Sequence, residues 1–530
     1  MRRLGRLLAL LPALALLTGA LAGSADANTG PKSAAVTRVT VSVHGLDRNG
    51  AVVKALRAVF LSSQSGAFYE SYHGESVRLP RGGYLVGASV PTGNSSETLV
   101  VRHVIIRRSG VVTMNAEHGK LVRVALTGVT ATSGKQAISA CLFNSGNTVV
   151  HADAYGGNGV RIYAVPFRSP NVSFSYQKSW QDASGVSYDL TGSSHGGIPT
   201  GLSFSQAKSG LAKLTVAVRD GVNPATSIEY QLSPGNYFLS NCGYNDVDVQ
   251  TTEPFSTTQY VSPGLWTTVV YTMYGNDVTG FNLVNRRLAA RQRYSQTYGA
   301  AVAGPSTNFP TMTGNIFRYE ATDLFKLPAT PLGDDDQCCA RSHLTLKVGN
   351  HLVADVERTE WRGPTWFRKT LTRAGWYTFN ISARRFNPHG TEPPNLLSNR
   401  ATLSWRFHLT PVPPAGIVRE PPITVTSYEP RGLSADNLAA AGATTTVAFQ
   451  IHRAGQQGTP ASRYAFKSIR VLASFNGGKT WQTLKITRHG SGWLTSVPDP
   501  LTGYVALRSI VTDVHGDRTV QTIYRAYSVN

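Results

Sequence analysis

Two short stretches carry residue types suited to nucleophilic chemistry. His389-Gly390-Thr391 offers an imidazole in a polar loop, and Ser193-Ser194-His195-Gly196-Gly197 places hydroxyls beside another. A serine nucleophile needs a base to take its proton and an acid to fix the tautomer of that base, all converging from separate segments. His389 has no partner motif for that role, and neighbours in sequence such as Ser194 and His195 do not readily form a nucleophile-base pair. The chain also lacks the full Gly-x-x-x-x-Gly-Lys-Ser/Thr phosphate loop and a His-Glu-x-x-His zinc helix. The expectation is therefore no catalysis. Glu360-Trp361-Arg362-Gly363-Pro364-Thr365-Trp366 suggests binding instead, because indole faces stack on sugars and guanidinium groups hold acid groups. Trp361, Arg362 and Trp366, with the cations Arg368, Lys369, Arg384 and Arg385, form the candidate binding set. The plainer reading of the same residues is core tryptophans and a solvated charged face.

The four cysteines are Cys141, Cys242, Cys338 and Cys339. An even count in an exported chain predicts disulfides, and four cysteines allow three connectivities. Cys141 with Cys242 is favoured because each lies in a strand-like run, 137–143 and 237–242, which leaves Cys338-Cys339 as a bridge between neighbours. The alternative is a metal corner made by that pair with Asp334, Asp335, Asp336 and His343. Zinc sites space their cysteines two to four residues apart so that both sulfurs reach one ion, so a stapled loop is expected and no metal or cofactor.

The elements that must position these residues read as strands throughout. Short β-branched and aromatic runs, such as 36–43, 58–62, 99–106 and 447–451, alternate with Gly, Pro, Asn and Ser. The alanine-rich stretches 286–293 and 437–443 are too short to stand as helices. A recurrent phrase sets a glycine just before an aromatic residue that opens a strand. It occurs at Gly82-Gly83-Tyr84, Gly235-Asn236-Tyr237, Gly375-Trp376-Tyr377 and Gly503-Tyr504. Such a ring can pack in the core while its hydroxyl reaches backbone at the corner. Four corners predict four β-sandwiches: 28–118, 119–264, 265–410 and 411–530, the last border lying in Pro411-Val412-Pro413-Pro414. The first is expected to be prealbumin-like, the last immunoglobulin or fibronectin type III-like.

Composition narrows the function class. The 530 residues hold 51 Lys+Arg against 30 Asp+Glu, a formal charge of +21, while 41% are hydrophobic and only 15% charged. That excludes a charge-rich disordered chain and predicts a basic folded surface that attracts polyanions. Arg2, Arg3 and Arg6, the apolar run 7–22, and Ala25-Asp26-Ala27 read as a signal peptide cleaved after Ala27. No cysteine follows Gly23 to take a lipid, and no later run is long enough for a transmembrane segment. A secreted protein, free or held at the cell wall, is expected.

Ser474-Phe475-Asn476-Gly477-Gly478-Lys479-Thr480-Trp481 matches the Asp-box hairpin Ser-x-Asp-x-Gly-x-Thr-Trp, with Asn for Asp. It occurs once, which argues for a structural corner covered by Trp481 rather than a repeated propeller blade. With 470–473, 503–508, Thr512-Asp513 and 520–527, this hairpin resembles the closing β-rich domain of large secreted actinobacterial subtilisin-like peptidases. Val302-Ala303-Gly304-Pro305 and Thr402-Leu403-Ser404-Trp405 resemble the accessory region that follows the protease domain in those chains. The resemblance is strongest over 265–530 and covers no catalytic motif. It implies the non-catalytic tail of such an enzyme made as a separate protein. Together with the basic charge it gives a binding or adhesion protein of the envelope or matrix, contacting an anionic cell-wall polymer, an exopolysaccharide or a secreted protein, and no specific nucleic-acid sequence. The alternatives are a partner or scaffold for such peptidases and an enzyme with an unrecognised site, at His195 or Asp334-Asp335-Asp336.

Overall fold

The computed structural model describes residues 37–144, 149–157, 159–223, 225–235, 247–305, 309–320, 324–326, 335–337, 339–359, 366–409, 418–454 and 465–530. Among them are strands, one 3-10 turn at Lys208–Gly210 and no α-helix. The expected all-β fold of packed sandwiches is what forms. Of the alanine-rich stretches, one closes strand Asp277–Leu288 and the other contains the two-residue strand Leu438–Ala439.

The sheets stack in sequence. Val52–Val53, Arg38–Leu46 and Val77–Pro80 form the first, with Gly110–Asn115 parallel to Arg38–Leu46. Its Val41, Val43 and Met114 meet Phe60, Tyr84, Val86 and Val90 of the second sheet. The second sheet runs Phe68–Ser71, Ala58–Ser62, Gly82–Thr92, Ser96–Ile106, Arg161–Ala164 and Lys120–Leu121. Side chains alternate across a strand, and here both faces are covered. Val59, Leu61, Leu85 and Val101 turn the other way, onto Ile138, Leu142, Phe174 and Leu190. Ala58–Ser62 is buried at every position for that reason, and its sequence shows a continuous apolar run instead of alternation.

The third sheet has seven strands in the order Val149–Gly156, Thr132–Phe143, Phe167–Gln181, Ser187–Ile198, Phe255–Val261, Ala212–Val218 and Arg293–Tyr298. Tyr188 and Leu190 face the second core, while Asp189 aligns with Val261, which belongs to a third core on the opposite face. There Leu214, Val216 and Tyr298 pack on Tyr230, Trp266 and Val270 of the sheet Val247–Thr251, Ser227–Pro234, Gly264–Tyr274, Asp277–Leu288 and Asp335–Gln337.

The last core lies under a nine-stranded sheet. Its main path is His351–Thr359, Ala340–Val348, Gly375–Arg385, Arg400–Leu409, Arg518–Val529, Gly503–Asp513, Phe466–Ser474 and Gln482–Leu484, and Leu438–Ala439 pairs with Arg518–Val529. Its inner face carries Phe379, Trp405 and Phe407, which pack with Phe317 and Tyr319 of one four-stranded sheet. Thr519 and Gln521 on the same face bond Thr424 and Thr426 of another. Strand pairing crosses the sequence-drawn borders: Arg400–Leu409 pairs with Arg518–Val529 across the proline segment, and Gly264–Tyr274 pairs with Ser227–Pro234. Prolines mark where a chain leaves a sheet and carry no information on which sheet it rejoins.

The glycine-aromatic corners form where the spacing is two. Tyr84 donates to Pro80 O at 2.7 Å and Tyr377 to Arg373 O at 2.7 Å, each four residues upstream, with Gly82 and Gly375 at φ 154° and 148°. A third corner uses tryptophan: Trp266 Nε1 donates to Ser262 O at 2.7 Å, after Gly264 at φ 152°. Tyr504 follows its glycine by one residue and so faces outward, donating to Pro394 O at 3.1 Å. Tyr237 lies outside the described residues.

Candidate functional site

The residues of the sequence-derived binding set are distributed over both surfaces of the last sandwich and its interior. Trp361 and Arg362 lie outside the described residues. Trp366, 44% exposed, and Arg368 face outward on Trp366–Thr370, in the sheet that covers the last core, opposite Glu320 and Arg318 respectively. Lys369, half-buried, alternates with them on that strand. Arg384 points outward from the nine-stranded sheet on the far side of the core. Arg385 is a correction: it is fully buried, donates to Val222 O, to Leu397 O at 3.3 Å and to Asn223 Oδ1 at 2.6 Å, and lies over Phe325. Period two sends neighbouring residues to opposite faces, so the Arg384-Arg385 pair divides between surface and core.

What the structure does assemble is a cationic sheet face around Arg384. Register places Arg341, Arg384 and Arg400 directly opposite one another on three adjacent strands. Farther along the same face Arg406 is opposite Arg518, with Lys347 two strands away. Like charges set opposite on neighbouring strands disfavour pairing, and here no carboxylate on these strands offsets them. Across Ala340–Val348, Gly375–Arg385, Arg400–Leu409, Arg518–Val529, Gly503–Asp513 and Phe466–Ser474 the sole carboxylate is Asp513, and the edge strand His351–Thr359 adds Asp355 and Glu357 on the outward face, opposite Thr345 and His343. Asp513 is buried on the inner face and paired with Arg453 at 3.2 Å. Among the described residues Arg341, Arg384 and Arg400 form no ion pair.

At the corner of this face lies a cleft of about 410 Å³ lined by Arg384, Asn399, Arg400, Tyr504, Tyr524 and Arg525, with Phe475 and Gly477 as its rim. Arg400 stacks on Tyr524 at 3.6 Å and Arg525 on Tyr504 at 4.6 Å. Arg525 also lies 3.6 Å from Glu392, which Asn399 Nδ2 bonds at 2.5 Å. The rim is the Asp-box hairpin. Ser474 Oγ accepts from Gly478 N at 2.9 Å, and Asn476 Oδ1 from Thr480 N at 3.0 Å. Gly477 and Gly478 take φ of 70° and 87°. A Cβ on Gly478 would come within 2.8 Å of Tyr524 Cε1, so only glycine lets the hairpin close on the cleft. Trp481 departs from expectation: it is half-buried on the outer face beneath Arg508, at 3.9 Å, rather than over the core.

The stretches considered for nucleophilic chemistry are structural turns and strands. Asn387 Oδ1 accepts from His389 N and Thr391 N, both at 3.0 Å, which makes His389-Gly390-Thr391 the tip of an Asx turn. The same turn recurs at Asp47, Asp182 and Asp513, each accepting from the amides two and four residues on. The Ser184 and Tyr188 hydroxyls, which also donate to Asp182, do most to hold its carboxyl pKa down to about 2. Gly192-Ser193-Ser194-His195-Gly196 has the Gly-x-Ser-x-Gly spacing of a nucleophile elbow. Ser194 lies within strand Ser187–Ile198, not on the strand-to-helix turn that such a nucleophile requires. His195 Nδ1 is 2.9 Å from Ser173 Oγ across the strand pair, as His452 Nε2 is from Ser427 Oγ. In the grouping of His151, Asp153 and Ser139 the carboxylate bonds the serine itself, which is not the relay order of a triad.

Cys141 and Cys339 are disulfide-bonded, while Cys242 and Cys338, on which the favoured pairing depends, lie outside the described residues. The side chains of Asp334, Asp335 and Asp336 do too, and His343 Nε2 is 2.6 Å from Asp355. Among the described residues the most perturbed carboxyl is that of Asp189, fully buried between the third sheet and the sheet over it. Neither oxygen has a hydrogen-bond partner among them, and burial pushes its pKa up to about 7.

No family model matches the chain, and no curated protein does. Among solved structures, the chain is similar to BcpA, the major pilin subunit of Bacillus cereus, at 8% identity and TM-score 0.12, covering 49% of this chain and 98% of that one. A bacterial ice-binding adhesin concerned with host cell surface retention matches at 10% identity and TM-score 0.15, covering 60% and 97%. Sidekick-1 immunoglobulin domains 1–5 match at 8% identity and TM-score 0.10, covering 93% and 94%. Likeness of this degree assigns neither family nor function, and the fold class rests on the sheets themselves.

Proposed function

We propose that the protein is a secreted, non-catalytic, multi-domain binding or adhesion protein of the cell envelope or extracellular matrix, and that it holds an anionic polymer. The observation that carries this reading is the alignment of Arg341, Arg384 and Arg400 without an ion pair, among six adjacent strands whose only carboxylate is turned inward. A fold has no use for opposed like charges, whereas an external polyanion neutralises them together and releases its own counterions. The excess of Lys+Arg over the whole chain adds long-range attraction in the same sense. The leader-like residues 1–27 support export, to where envelope and matrix polymers are found.

The test is co-sedimentation of residues 28–530 with cell-wall sacculi, intact or stripped of their anionic polymers, over a salt titration. The reading predicts sedimentation that requires the polymers and fades as salt rises past the range where screening reaches about 10 Å. Absence of sedimentation with intact sacculi at low salt contradicts it.

A further inference from the structure

We infer that the polymer is an acidic polysaccharide that crosses the strands along the Arg341–Arg384–Arg400 row, its carboxylates meeting the guanidinium groups there. This rests on the polyanion-binding reading above and specifies its site and ligand class. Adjacent strands lie about 4.8 Å apart, so the three arginines leave the sheet at nearly that interval along a line perpendicular to the strands, with the guanidinium of Arg341 drawn toward the Phe386 ring at 5.5 Å and that of Arg400 toward Tyr524 at 3.6 Å. A polyuronate carries one carboxylate on every ring, and a guanidinium takes a carboxylate through two parallel hydrogen bonds.

The aromatic residues narrow the class further. Neutral glycans and single-stranded nucleic acids both need open ring faces on which to stack. Here Tyr524, Tyr504, Trp376 and Trp481 each carry a guanidinium, from Arg400, Arg525, Arg406 and Arg508, at 3.6, 4.6, 4.1 and 3.9 Å from the ring centre. Stacking fixes those guanidinium planes. Arg525 donates to Pro394 O and faces Glu392, and Arg508 donates to Thr522 Oγ1, which leaves the N–H edges of Arg400 and Arg406 for oxyanions. The ligand is thus read through charge, with the rings serving to hold the cations.

The experiment measures binding of residues 28–530 to galacturonate as monomer, trimer and longer oligomer, against a neutral oligosaccharide and single-stranded DNA, with wild type, R384Q, R400Q and R318Q. Arg318 faces outward on the opposite sheet beside Arg368 and serves as the control. Affinity is expected to rise steeply from monomer to trimer. R384Q and R400Q should each weaken trimer binding several-fold and make log K fall less steeply with log salt, with R318Q unchanged. R384Q should leave thermal stability equal or higher, because it relieves two like-charge contacts. Loss of binding through misfolding would lower it, so the two causes separate. Uronate binding that R384Q and R400Q leave intact overturns the site while sparing the broader reading. Tighter binding of DNA or the neutral glycan overturns the ligand class, and failure to bind any of the polymers alongside failure to sediment with sacculi overturns both.

Discussion

Replacing Asp189 by asparagine makes the protein's stability less dependent on pH. The carboxyl is fully buried without a hydrogen-bond partner among the described residues, and its pKa rises from 3.8 to about 7. Between those values the folded protein keeps a proton that the unfolded chain has released. Stability therefore falls as pH rises, from its full value below about pH 4 to its lowest above about pH 7. A gap of about three pH units, each worth ~1.36 kcal/mol, gives a penalty of about 4 kcal/mol at pH 8. The Asp189→Asn variant keeps the shape of the side chain, never ionises, and leaves the same polar atoms unpaired at every pH. The four hydrophobic cores make a single global midpoint a poor observable. Amide hydrogen exchange in strand Ser187–Ile198, corrected for intrinsic rates, reports the local free energy instead. Wild type should lose about 3 kcal/mol of protection from pH 5 to pH 8, the two pH units of that window lying below the folded pKa, and Asp189→Asn should lose almost none. A wild-type-to-variant difference that is the same at pH 5 and pH 8 would refute the reasoning, since it would mean that the carboxylate is solvated or paired when charged.

Arg385→Ala removes a buried cation together with its bonds to Val222 O, Leu397 O and Asn223. It should destabilise the last core by about 3 kcal/mol or more, because three buried acceptors lose their donor, read by amide hydrogen exchange in strand Gly375–Arg385. Trp266→Phe leaves Ser262 O without its donor in a buried corner and should cost about 1–3 kcal/mol, with Tyr84→Phe and Tyr377→Phe acting the same way at Pro80 O and Arg373 O. Asn437→Ala, at a fully buried position with φ 55°, removes bonds to Ala301 N, Asp220 O and Gly299 O, and should loosen three chain segments together in hydrogen exchange.

The strands and most corners were legible in the sequence because both depend on local patterns. Glycine two residues before tyrosine specified the corners at Tyr84 and Tyr377, and the same spacing before Trp266 carries the same signal with an indole in place of the phenol. Sheet membership was not legible. Ala58–Ser62 is apolar throughout because two cores share its sheet, and nothing local to the strand names the second partner. The site was half legible. Arg384 stood out by its closeness to Arg385 and Arg368, but closeness in sequence is a poor guide in a strand, where successive residues part to opposite faces. Alternation in Arg400–Leu409, with Leu403, Trp405 and Phe407 inward, already marked Arg400 and Arg406 as outward. Their alignment with Arg341 and Arg518 depends on long-range register and appears only in the folded chain.

The central claim is that one face of the nine-stranded sheet holds the polyanion, and arginine footprinting tests it most directly. The protein is treated with an arginine-specific dicarbonyl, with and without saturating oligogalacturonate, and modification is read residue by residue by mass spectrometry. The account predicts protection of Arg341, Arg384 and Arg400 with Arg318 and Arg368 equally reactive in both samples. Protection confined to Arg318 and Arg368, or uniform across both faces, would contradict it.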